Sequence, residues 1–277
     1  MSSYLFPSIR VAIRGGGDLA TGVAYRLHRC GFPVLITELP SPLMVRRAVS
    51  FGSAVIEGTL TVDGVEARRA DSLEEAIAIQ SDDVIPVLVD PEAALLAEYA
   101  PTVLVDARML KRMPEPLSFR PLLVIGLGPG FTAPENCDLV IETMRGHTLG
   151  RVIRQGSAQA DTGQPDPVMG HSSDRVLRAP ADGILVTLAS IGEKVEKGQP
   201  VAQVGTEVIT APFNGVIRGL IHNGLTVKKG TKVGDVDPRG DPAYCFMISD
   251  KSLAIGGGVL EAMLSWSGVR ERIQSHR

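Results

Sequence analysis

The hydrophobic positions of the first half of the chain form short apolar runs that alternate with segments of helical spacing. Runs with the length and composition of buried strands cover residues 11–13, 33–37, 84–89, 102–105, 122–125 and 138–141. Between them, apolar residues recur every three to four positions, as in residues 19–27. Continuous apolar strands that alternate with helices are typical of a parallel sheet covered on both faces. The pattern therefore predicts an α/β fold with a mostly parallel sheet.

A second pattern of alternating apolar residues lies between the early runs. Residues 54–57, 60–62 and 65–68 alternate in polarity, and Asp63-Gly64 separates the last two of these segments. Asp-Gly between alternating segments is a strong hairpin signal. We expect short strands there, and a helix that begins at Asp90-Pro91 and runs through Ala97.

A glycine-rich turn follows the first apolar run. Gly15, Gly17 and Ala20 have the spacing of the dinucleotide-binding fingerprint of Rossmann-like domains, in a strand–turn–helix setting. Free N–H groups at the start of the helix suit an anion, and Glu38 ends the second run, where an acid accepts hydrogen bonds from a ribose. Asp18 opposes a phosphate, because its carboxylate would repel one. Two interpretations stay open: the turn binds a nucleotide or another anionic ligand, or it is a purely structural Rossmann turn. The candidate ligand contacts are Gly15, Gly16, Gly17, Asp18 and Glu38.

Other candidate residues follow the ends of later runs, because ligands of open α/β sheets bind beyond the carboxyl ends of the strands. Polar candidates there are Asp90, Asp106, Arg108 and Lys111. Residues 126–131 form a second glycine-rich turn, in which little side chain would obstruct a ligand. Its candidate contacts are Gly126, Gly128 and Gly130. A plain Pro129-Gly130 turn is the alternative.

Basic residues supply further candidate anion contacts. Arg46 and Arg47 face an acidic ligand or form a solvated helix face. Arg145 and His147 flank a glycine and could bind anions or exchange protons, although a loop histidine is also a common surface residue. Lys251 completes this set.

Charge and cysteine content narrow the choice of partners. The 277 residues contain 28 basic and 31 acidic side chains, so no positive excess favours nucleic acid. No apolar run approaches the ~20 residues of a membrane helix, and the first residues lack a signal-peptide pattern. We expect a cytoplasmic protein with neither nucleic-acid nor membrane partners. Its cysteines, Cys30, Cys137 and Cys245, have no paired spacing, so we expect no disulfide framework and no metal site.

The second half of the chain contains an internal repeat. Residues 179–184, Ala-Pro-Ala-Asp-Gly-Ile, recur 32 positions later as residues 211–216, Ala-Pro-Phe-Asn-Gly-Val, and residues 192–198 recur as 224–230. Duplicated strands with Asp-Gly or Asn-Gly turns predict a small all-β domain. The two halves resemble those of the biotinyl/lipoyl domain, a barrel-sandwich hybrid. The hairpin at residues 205–210 contains no lysine, so this module should carry neither biotin nor lipoate.

These patterns divide the chain into predicted domains. Residues 1–156 form the Rossmann-like α/β domain, and residues 157–173, rich in glycine, proline and serine, form a linker. Residues 174–245 form the barrel-sandwich domain. Residues 246–277 combine a strand with an amphipathic helix, which we expect to dock back on the α/β domain.

Several blocks spread over nearly the whole chain resemble one bacterial family, the selenium-dependent molybdenum hydroxylase system maturation proteins. The blocks are residues 14–22, 46–51, 105–111, 142–151, 179–183 and 248–262. The Rossmann part is also similar in outline to xanthine dehydrogenase accessory factors. The resemblance implies an accessory role in maturation of a selenium-dependent molybdenum hydroxylase, with the apoenzyme or its cofactor as partner. It implies no reaction and no catalytic residues.

The residues leave other functions open. Glu38 favours an NAD-dependent oxidoreductase, although no hydride-transfer constellation stands out, and a non-catalytic nucleotide-binding scaffold is the third alternative. The expected cofactor is accordingly a molybdopterin dinucleotide or NAD(P). None of the cysteines has the positive surroundings that a reactive thiolate needs, so we expect non-covalent binding through the basic residues.

Overall fold

The computed structural model describes residues 4–163 and 167–275, and residues 164–166 of the predicted linker lie outside this part. The chain divides into two compact units. The larger unit comprises Met1–Pro40, Phe51–Asp161 and Ile248–Arg277, and the smaller unit comprises Ser41–Ser50 and Thr162–Met247. The predicted α/β domain thus differs from the larger unit, because Ser41–Ser50 groups with the smaller unit.

The larger unit contains eleven strands among its described residues. They are β1 (Val11–Arg14), β2 (Val34–Glu38), β3 (Thr59–Val62), β4 (Val65–Ala70), β5 (Ile85–Val89), β6 (Val103–Asp106), β7 (Leu123–Leu127), β8 (Thr132–Ala133), β9 (Leu139–Ile141), β10 (Val152–Ile153) and β11 (Gly156–Ser157). Its helices are α1 (Asp18–Arg29), α2 (Ala54–Glu57), α3 (Leu73–Ser81), α4 (Leu96–Tyr99), α5 (Asp250–Ser265) and α6 (Ser267–Gln274).

Nine of these strands form one sheet in the order β10-β9-β7-β6-β1-β2-β5-β4-β3. The strands from β9 to β4 run parallel, while β3 and β10 pair antiparallel at the two edges. The central strands are buried, as their uninterrupted apolar sequences require. The predicted α/β class with a mostly parallel sheet is confirmed, and additional small antiparallel sheets accompany it.

The hairpin predicted at Asp63-Gly64 forms between β3 and β4, and both turn residues have positive φ. Two other expectations were wrong. Residues Ala54–Glu57 are helix α2 rather than a strand, and the helix expected from Asp90 is confined to Leu96–Tyr99. The Asp90 carboxylate instead accepts the N–H groups of Ala94 and Leu95, which holds that segment in turns.

Close backbone contact joins α1 to the C-terminal helix α5. A Cβ built on Gly256 would lie 2.5 Å from the Gly22 carbonyl oxygen, and one on Gly22 would contact the Ser252 carbonyl. Gly258 approaches the Gly150 carbonyl in the same way. Glycines at these positions therefore let α5 pack directly on the backbone of α1 and of the segment before β10.

The smaller unit consists of strands in two four-stranded antiparallel sheets. They are β12 (Val176–Arg178), β13 (Gly183–Thr187), β14 (Lys194–Val195), β15 (Pro200–Val204), β16 (Glu207–Thr210), β17 (Gly215–Leu220), β18 (Thr226–Val227) and β19 (Lys232–Asp237). The sheet orders are β12-β19-β17-β14 and β16-β15-β13-β18.

The sequence repeat is also a structural repeat, with equivalent hydrogen bonds in both halves. Gly230 N–H donates to the Ala179 carbonyl at 2.8 Å, and Gly198 N–H, 32 positions earlier, donates to the Ala211 carbonyl at 2.8 Å. Each of these bonds links one half to the other. The two halves therefore hydrogen-bond to each other through equivalent positions, with pseudo-two-fold symmetry. Neither half makes these backbone hydrogen bonds within itself.

Several charged groups are buried within the smaller unit. Arg175 donates to both carboxylate oxygens of Asp235 at 2.9 Å, and Arg239 forms a similar pair with Asp237. His222 is 7% exposed, and burial together with Arg47 lowers its pKa from 6.5 to about 4. The neutral imidazole is therefore the form that the folded unit holds.

Acid is expected to destabilise the smaller unit through His222. Between pH 6.5 and about 4 the unfolded chain binds a proton that the folded chain does not, so stability falls as the pH decreases through this range. The stability lost through this proton uptake reaches about 3 kcal/mol at the acid end of the range, and none of it is lost above pH 6.5. Urea unfolding of His222→Gln should lack this pH-dependent loss.

His147→Gln, at an exposed position, is the control and should behave like wild type. Identical pH profiles for wild type and His222→Gln would contradict the prediction.

No helix in the described part of the chain is both long and apolar enough to cross a membrane.

Candidate functional site

The carboxyl ends of the central parallel strands bring several of the predicted residues to one edge of the sheet. Arg14, the last residue of β1, is in register with Asp106 at the end of β6, which in turn is level with Gly126 of β7. Glu38 ends β2 on the other side of β1. This edge of the larger unit is the candidate site.

The three glycines of the turn at this edge differ in backbone conformation and in the space around them. Gly15 has φ +87°, a conformation that side chains rarely adopt. A Cβ on Gly16 would lie 2.6 Å from the Gly52 Cα, so this position is closed by the chain itself. Gly17 has no such neighbour within 4 Å in the described chain, and it precedes the first residue of α1. The open space of the turn is therefore at Gly17 and the amino end of α1.

Glu38 is bonded to this turn. Its Oε2 accepts the Gly16 N–H at 2.6 Å, and its Oε1 accepts the Leu39 N–H at 2.7 Å. Burial raises the pKa of Glu38, while the two hydrogen bonds oppose that shift. A carboxylate offers about four lone-pair positions, so each oxygen can still accept a ligand hydroxyl. The sequence placed Glu38 correctly at the strand end but did not indicate that it stabilises the turn.

A cluster of charges lies next to the turn, at the ends of β1 and β6. The Arg108 guanidinium donates to both oxygens of Asp106, at 2.7 Å from Nη2 and 3.0 Å from Nε, and to Glu115 at 3.0 Å. The Arg14 guanidinium lies 4.0 Å from Asp106, beyond hydrogen-bond distance. Asp106 is therefore hydrogen-bonded by Arg108, while Arg14 lies at the outer limit of an ion pair with it.

Arg14 is consequently a buried cation that nearby carboxylates attract but do not hydrogen-bond. Its side chain is 8% exposed, and among the described residues it makes no hydrogen bond through its guanidinium. Burial, and then repulsion from Arg108, lower the pKa of Arg14, while Asp106, Glu115 and Asp90 oppose that shift. Sequence reasoning did not single out Arg14, although a charged residue that ends an apolar strand just before a glycine turn was a visible signal.

The second glycine-rich turn is covered by the chain's own atoms. A Cβ on Gly126 would contact the Phe131 ring, and one on Gly130 would lie 2.5 Å from the Leu110 carbonyl oxygen. Gly128 has φ +82° and lies against Met109 and Thr143. These glycines permit close packing, so no space next to a Cα is available there for a ligand.

Other predicted anion contacts are paired with carboxylates. Arg145 forms a two-point pair with Asp250 at 2.7 and 2.8 Å, and Lys111 pairs with Asp161. Asp18 is the first residue of α1 and the acidic residue of its first turn.

The remaining basic candidates are spread over the two units. His147 is exposed, and Lys251 lies half-buried in the first turn of α5. Arg46 and Arg47 belong to the smaller unit, where they donate to the carbonyl oxygens of Tyr244 and Leu220. Arg46 and Arg47 therefore belong to one unit, and His147 and Lys251 belong to the other.

Two of the three cysteines lie in the core. Burial raises the pKa of Cys137 to about 11 and also raises that of Cys245. Both residues are buried, which disfavours a thiolate. Within residues 4–163 and 167–275, no cluster of three His, Cys, Asp or Glu side chains could hold a metal ion.

Comparison with known proteins gives one close sequence match. The chain is 47% identical over 262 residues to "Uncharacterized protein YqeB" of Escherichia coli (strain K12). The match covers 94% of this chain and 48% of the relative, so the chain spans about half the length of the curated relative it matches. No protein-family model matches the chain.

Solved structures that match are distant. An aspartoacylase family protein of Mesorhizobium loti is 14% identical, with a TM-score of 0.25 over 82% of this chain and 84% of that one. The product-bound ectoine utilization protein EutE (DoeB) of Ruegeria pomeroyi is 14% identical, with a TM-score of 0.23 over 77% and 61%. A succinylglutamate desuccinylase/aspartoacylase of Rhodobacter sphaeroides is 12% identical, with a TM-score of 0.25 over 82% and 85%. TM-scores this low transfer neither fold nor activity.

These comparisons correct the expected family. The structures that match are of the aspartoacylase and desuccinylase type and not selenium-dependent molybdenum hydroxylase maturation proteins, and the sequence relative carries no maturation function in its name. None of these matches names a maturation role, selenium or molybdenum, so the expected family and that role are withdrawn. The oxidoreductase and scaffold alternatives are not supported either and are not retained.

Proposed function

We propose that the larger unit binds a small anionic ligand, one that bears a phosphate or a carboxylate, between Arg14 and the amino end of α1. The observation that carries the proposal is the buried Arg14 guanidinium, which lies 4.0 Å from an aspartate that Arg108 already hydrogen-bonds. Burying a cation without a hydrogen-bonded partner is costly, and a bound anion would offset that cost. Gly17 supplies the open space beside it.

The amino end of α1 contributes to the same site. The first N–H groups of a helix have no partner within the helix, and the helix dipole favours negative charge there. Asp18 weakens this attraction, so Arg14 has to supply most of the positive charge. The remaining acceptor capacity of Glu38 suits a hydroxyl group on the same ligand.

The strand order of the sheet is compatible with this location. Six of the seven parallel strands, β5-β2-β1-β6-β7-β9, have the 3-2-1-4-5-6 order of a Rossmann-like fold, and the seventh, β4, adds to the sheet beside β5. In such sheets ligands bind where the strand order reverses, which here is next to β1. The pyrophosphate of NAD(P) is one source of the anion, and a free carboxylate or phosphate metabolite is the other.

Calorimetric titration distinguishes these sources and tests the site. Inorganic phosphate, succinate, NAD and NADP are titrated separately into wild type and into Gly17→Val. We expect at least one of them to bind wild type and to bind Gly17→Val at least tenfold more weakly, since the added side chain fills the open space without meeting the rest of the chain.

Gly257→Val is the matched control, because Gly257 likewise has no neighbour within 4 Å and lies on α5. It should bind like wild type. Absence of binding by all these probes, or equal affinity in wild type and Gly17→Val, would refute the proposal.

For the smaller unit we propose a barrel-sandwich fold of the biotinyl/lipoyl type that does not act as a carrier. Support comes from the two antiparallel sheets and the exchanged hydrogen bonds of the repeat. The hairpin between β15 and β16 turns at Gly205-Thr206, where a carrier domain would present its lysine.

A further inference from the structure

Charged residues meet on the two central strands of one sheet in the smaller unit. Arg218 lies on β17, and Asp235 and Asp237 lie on the neighbouring strand β19. The register of the two strands shifts between Ile217 and Gly219, so Arg218 occupies a β-bulge. Bulges redirect a side chain and are over-represented next to functional sites. The Arg218 Nε lies 3.7 Å from Asp237 Oδ2.

Other arginines already hydrogen-bond both of these carboxylates. Arg175 donates to the two oxygens of Asp235 at 2.9 Å. Arg239 donates to Asp237 at 3.0 Å from Nε and at 2.6 Å from Nη2. The separation of Arg218 and Asp237 exceeds a hydrogen bond, and the buried Nε of Arg218 has no hydrogen-bond partner among the described residues. Charge attraction therefore links Arg218 to Asp237, while its Nε lacks an acceptor.

A further guanidinium, that of Arg46, adds positive charge at the same place. Burial, and then repulsion from Arg46, lower the pKa of Arg218, while the two aspartates oppose that shift. Arg46 donates to the carbonyl oxygen of Tyr244, a neutral acceptor, at 3.2 Å. The nearby Cys245 thiol supplies no negative charge, because burial raises its pKa even though Arg46 and Arg218 oppose that shift.

Positive charge therefore exceeds negative charge in this part of the smaller unit. The described residues that meet here contribute four guanidinium groups and two carboxylates, those of Arg46, Arg175, Arg218, Arg239, Asp235 and Asp237. The difference is two positive charges. Such an excess is costly where side chains are withdrawn from water, and a bound anion offsets the cost.

One side of this group of charges faces solvent. The Arg239 side chain is 36% exposed, and its guanidinium carbon lies 4.5 Å from the centroid of the Tyr244 ring. Tyr244 itself is 39% exposed, and the Arg218 side chain keeps 14% of its surface exposed. A ligand from solvent therefore meets Arg239 and the Tyr244 ring first, with Arg218 behind them.

We propose that Arg46, Arg218 and Arg239, here called the arginine cluster, bind a phosphate group. An excess of two positive charges matches a dianion, and the planar guanidinium fork donates in pairs to phosphate oxygens. The phosphate is either free inorganic phosphate or the phosphoryl group of a larger ligand. This site lies within the smaller unit and involves neither Arg14 nor Gly17.

Titration of inorganic phosphate into the ¹⁵N-labelled full chain tests the site, with the Nε–H resonances of Arg218 and Arg239 as reporters. Each resonance is assigned by its loss when that arginine is replaced with glutamine. We expect both to shift in a saturable way with phosphate, and not with chloride at equal ionic strength. Arg218→Gln should weaken phosphate binding at least tenfold, as read from Arg239. Both reporters belong to the smaller unit, so the result is independent of the anion site at Arg14.

Arg178→Gln is the matched control, because it makes the same charge change at an exposed position on β12 of the same sheet. It should bind phosphate like wild type. Arg46→Gln removes a second member of the cluster and should also weaken binding, which keeps the test valid if Arg218→Gln does not fold. Phenyl phosphate separates the two sources. Tighter binding than inorganic phosphate supports a phosphoryl group on an aromatic ligand beside Tyr244, and equal binding supports free phosphate.

Three results would overturn the proposal. The first is a folded wild-type chain whose Arg218 and Arg239 resonances do not shift with phosphate. The second is unchanged phosphate affinity in the folded variants Arg218→Gln and Arg46→Gln. The third is an equal loss in Arg178→Gln and Arg218→Gln, which would show that overall charge, and not the cluster, attracts the anion.

Discussion

Replacing Gly256 or Gly258 with alanine is expected to destabilise the larger unit by about 2–3 kcal/mol in each case. A Cβ on Gly256 would lie 2.5 Å from the Gly22 carbonyl oxygen, and one on Gly258 would contact the Gly150 carbonyl. Backbone atoms cannot rotate away as a flexible side chain can. The helices α1 and α5 would have to separate, which would weaken the packing between them.

Gly257 offers a control within the same three residues. A Cβ there meets no atom within 4 Å, and alanine is about 1 kcal/mol better than glycine inside a helix. Gly257→Ala should therefore raise stability slightly, whereas its two neighbours lower it. Urea unfolding of the three variants measures the difference directly. Equal effects at all three positions would show that helix propensity, and not close packing, decides the outcome.

Asp106→Asn is expected to cost about 3 kcal/mol or more of stability. Its carboxylate is 5% exposed and balances the charge of Arg108, with Arg14 also 4.0 Å away. Neutralising it leaves buried guanidinium groups uncompensated, and breaking a buried pair by removing one partner typically costs about 3–5 kcal/mol. The side chain keeps its size, so lost packing does not explain the loss.

Glu115→Gln provides the comparison, because it removes the exposed partner of the same Arg108. Exposed ion pairs contribute about 0–1 kcal/mol, so this variant should stay within that range of wild type. Denaturant unfolding at neutral pH gives both values. A loss for Asp106→Asn no larger than that for Glu115→Gln would show that Arg14 is already solvated or balanced without Asp106.

Local sequence determined much of the larger unit. Apolar runs such as Ile85–Val89 became central strands because both faces of a parallel strand are buried, and that requirement is visible in the composition alone. The turn at Asp63-Gly64 was equally local, since its positive φ values call for these residue types. The repeat at a fixed offset also indicated the duplicated strands of the smaller unit.

Other parts depended on long-range contacts. Alternation in residues 54–57 suggested a strand, but tertiary packing places them in a single helical turn before β3. The segment after β6 carries hydrophobic residues without helical order, because its Leu117 and Phe119 pack on the sheet individually. Short segments have weak intrinsic preferences, so their surroundings decide their conformation.

By itself, the sequence determined the strands, the glycine turn and the position of Glu38 at a strand end. Only the tertiary structure decided which charged and polar groups meet. Arg108 hydrogen-bonds Asp106, Glu38 accepts from the Gly16 N–H, and Arg14 lies 4.0 Å from Asp106. The physical reason is how far apart in the sequence the interacting residues lie. Strand and turn formation depend on neighbouring residues, whereas the balance of buried charge depends on side chains that are distant in the chain and meet only when the sheet has assembled.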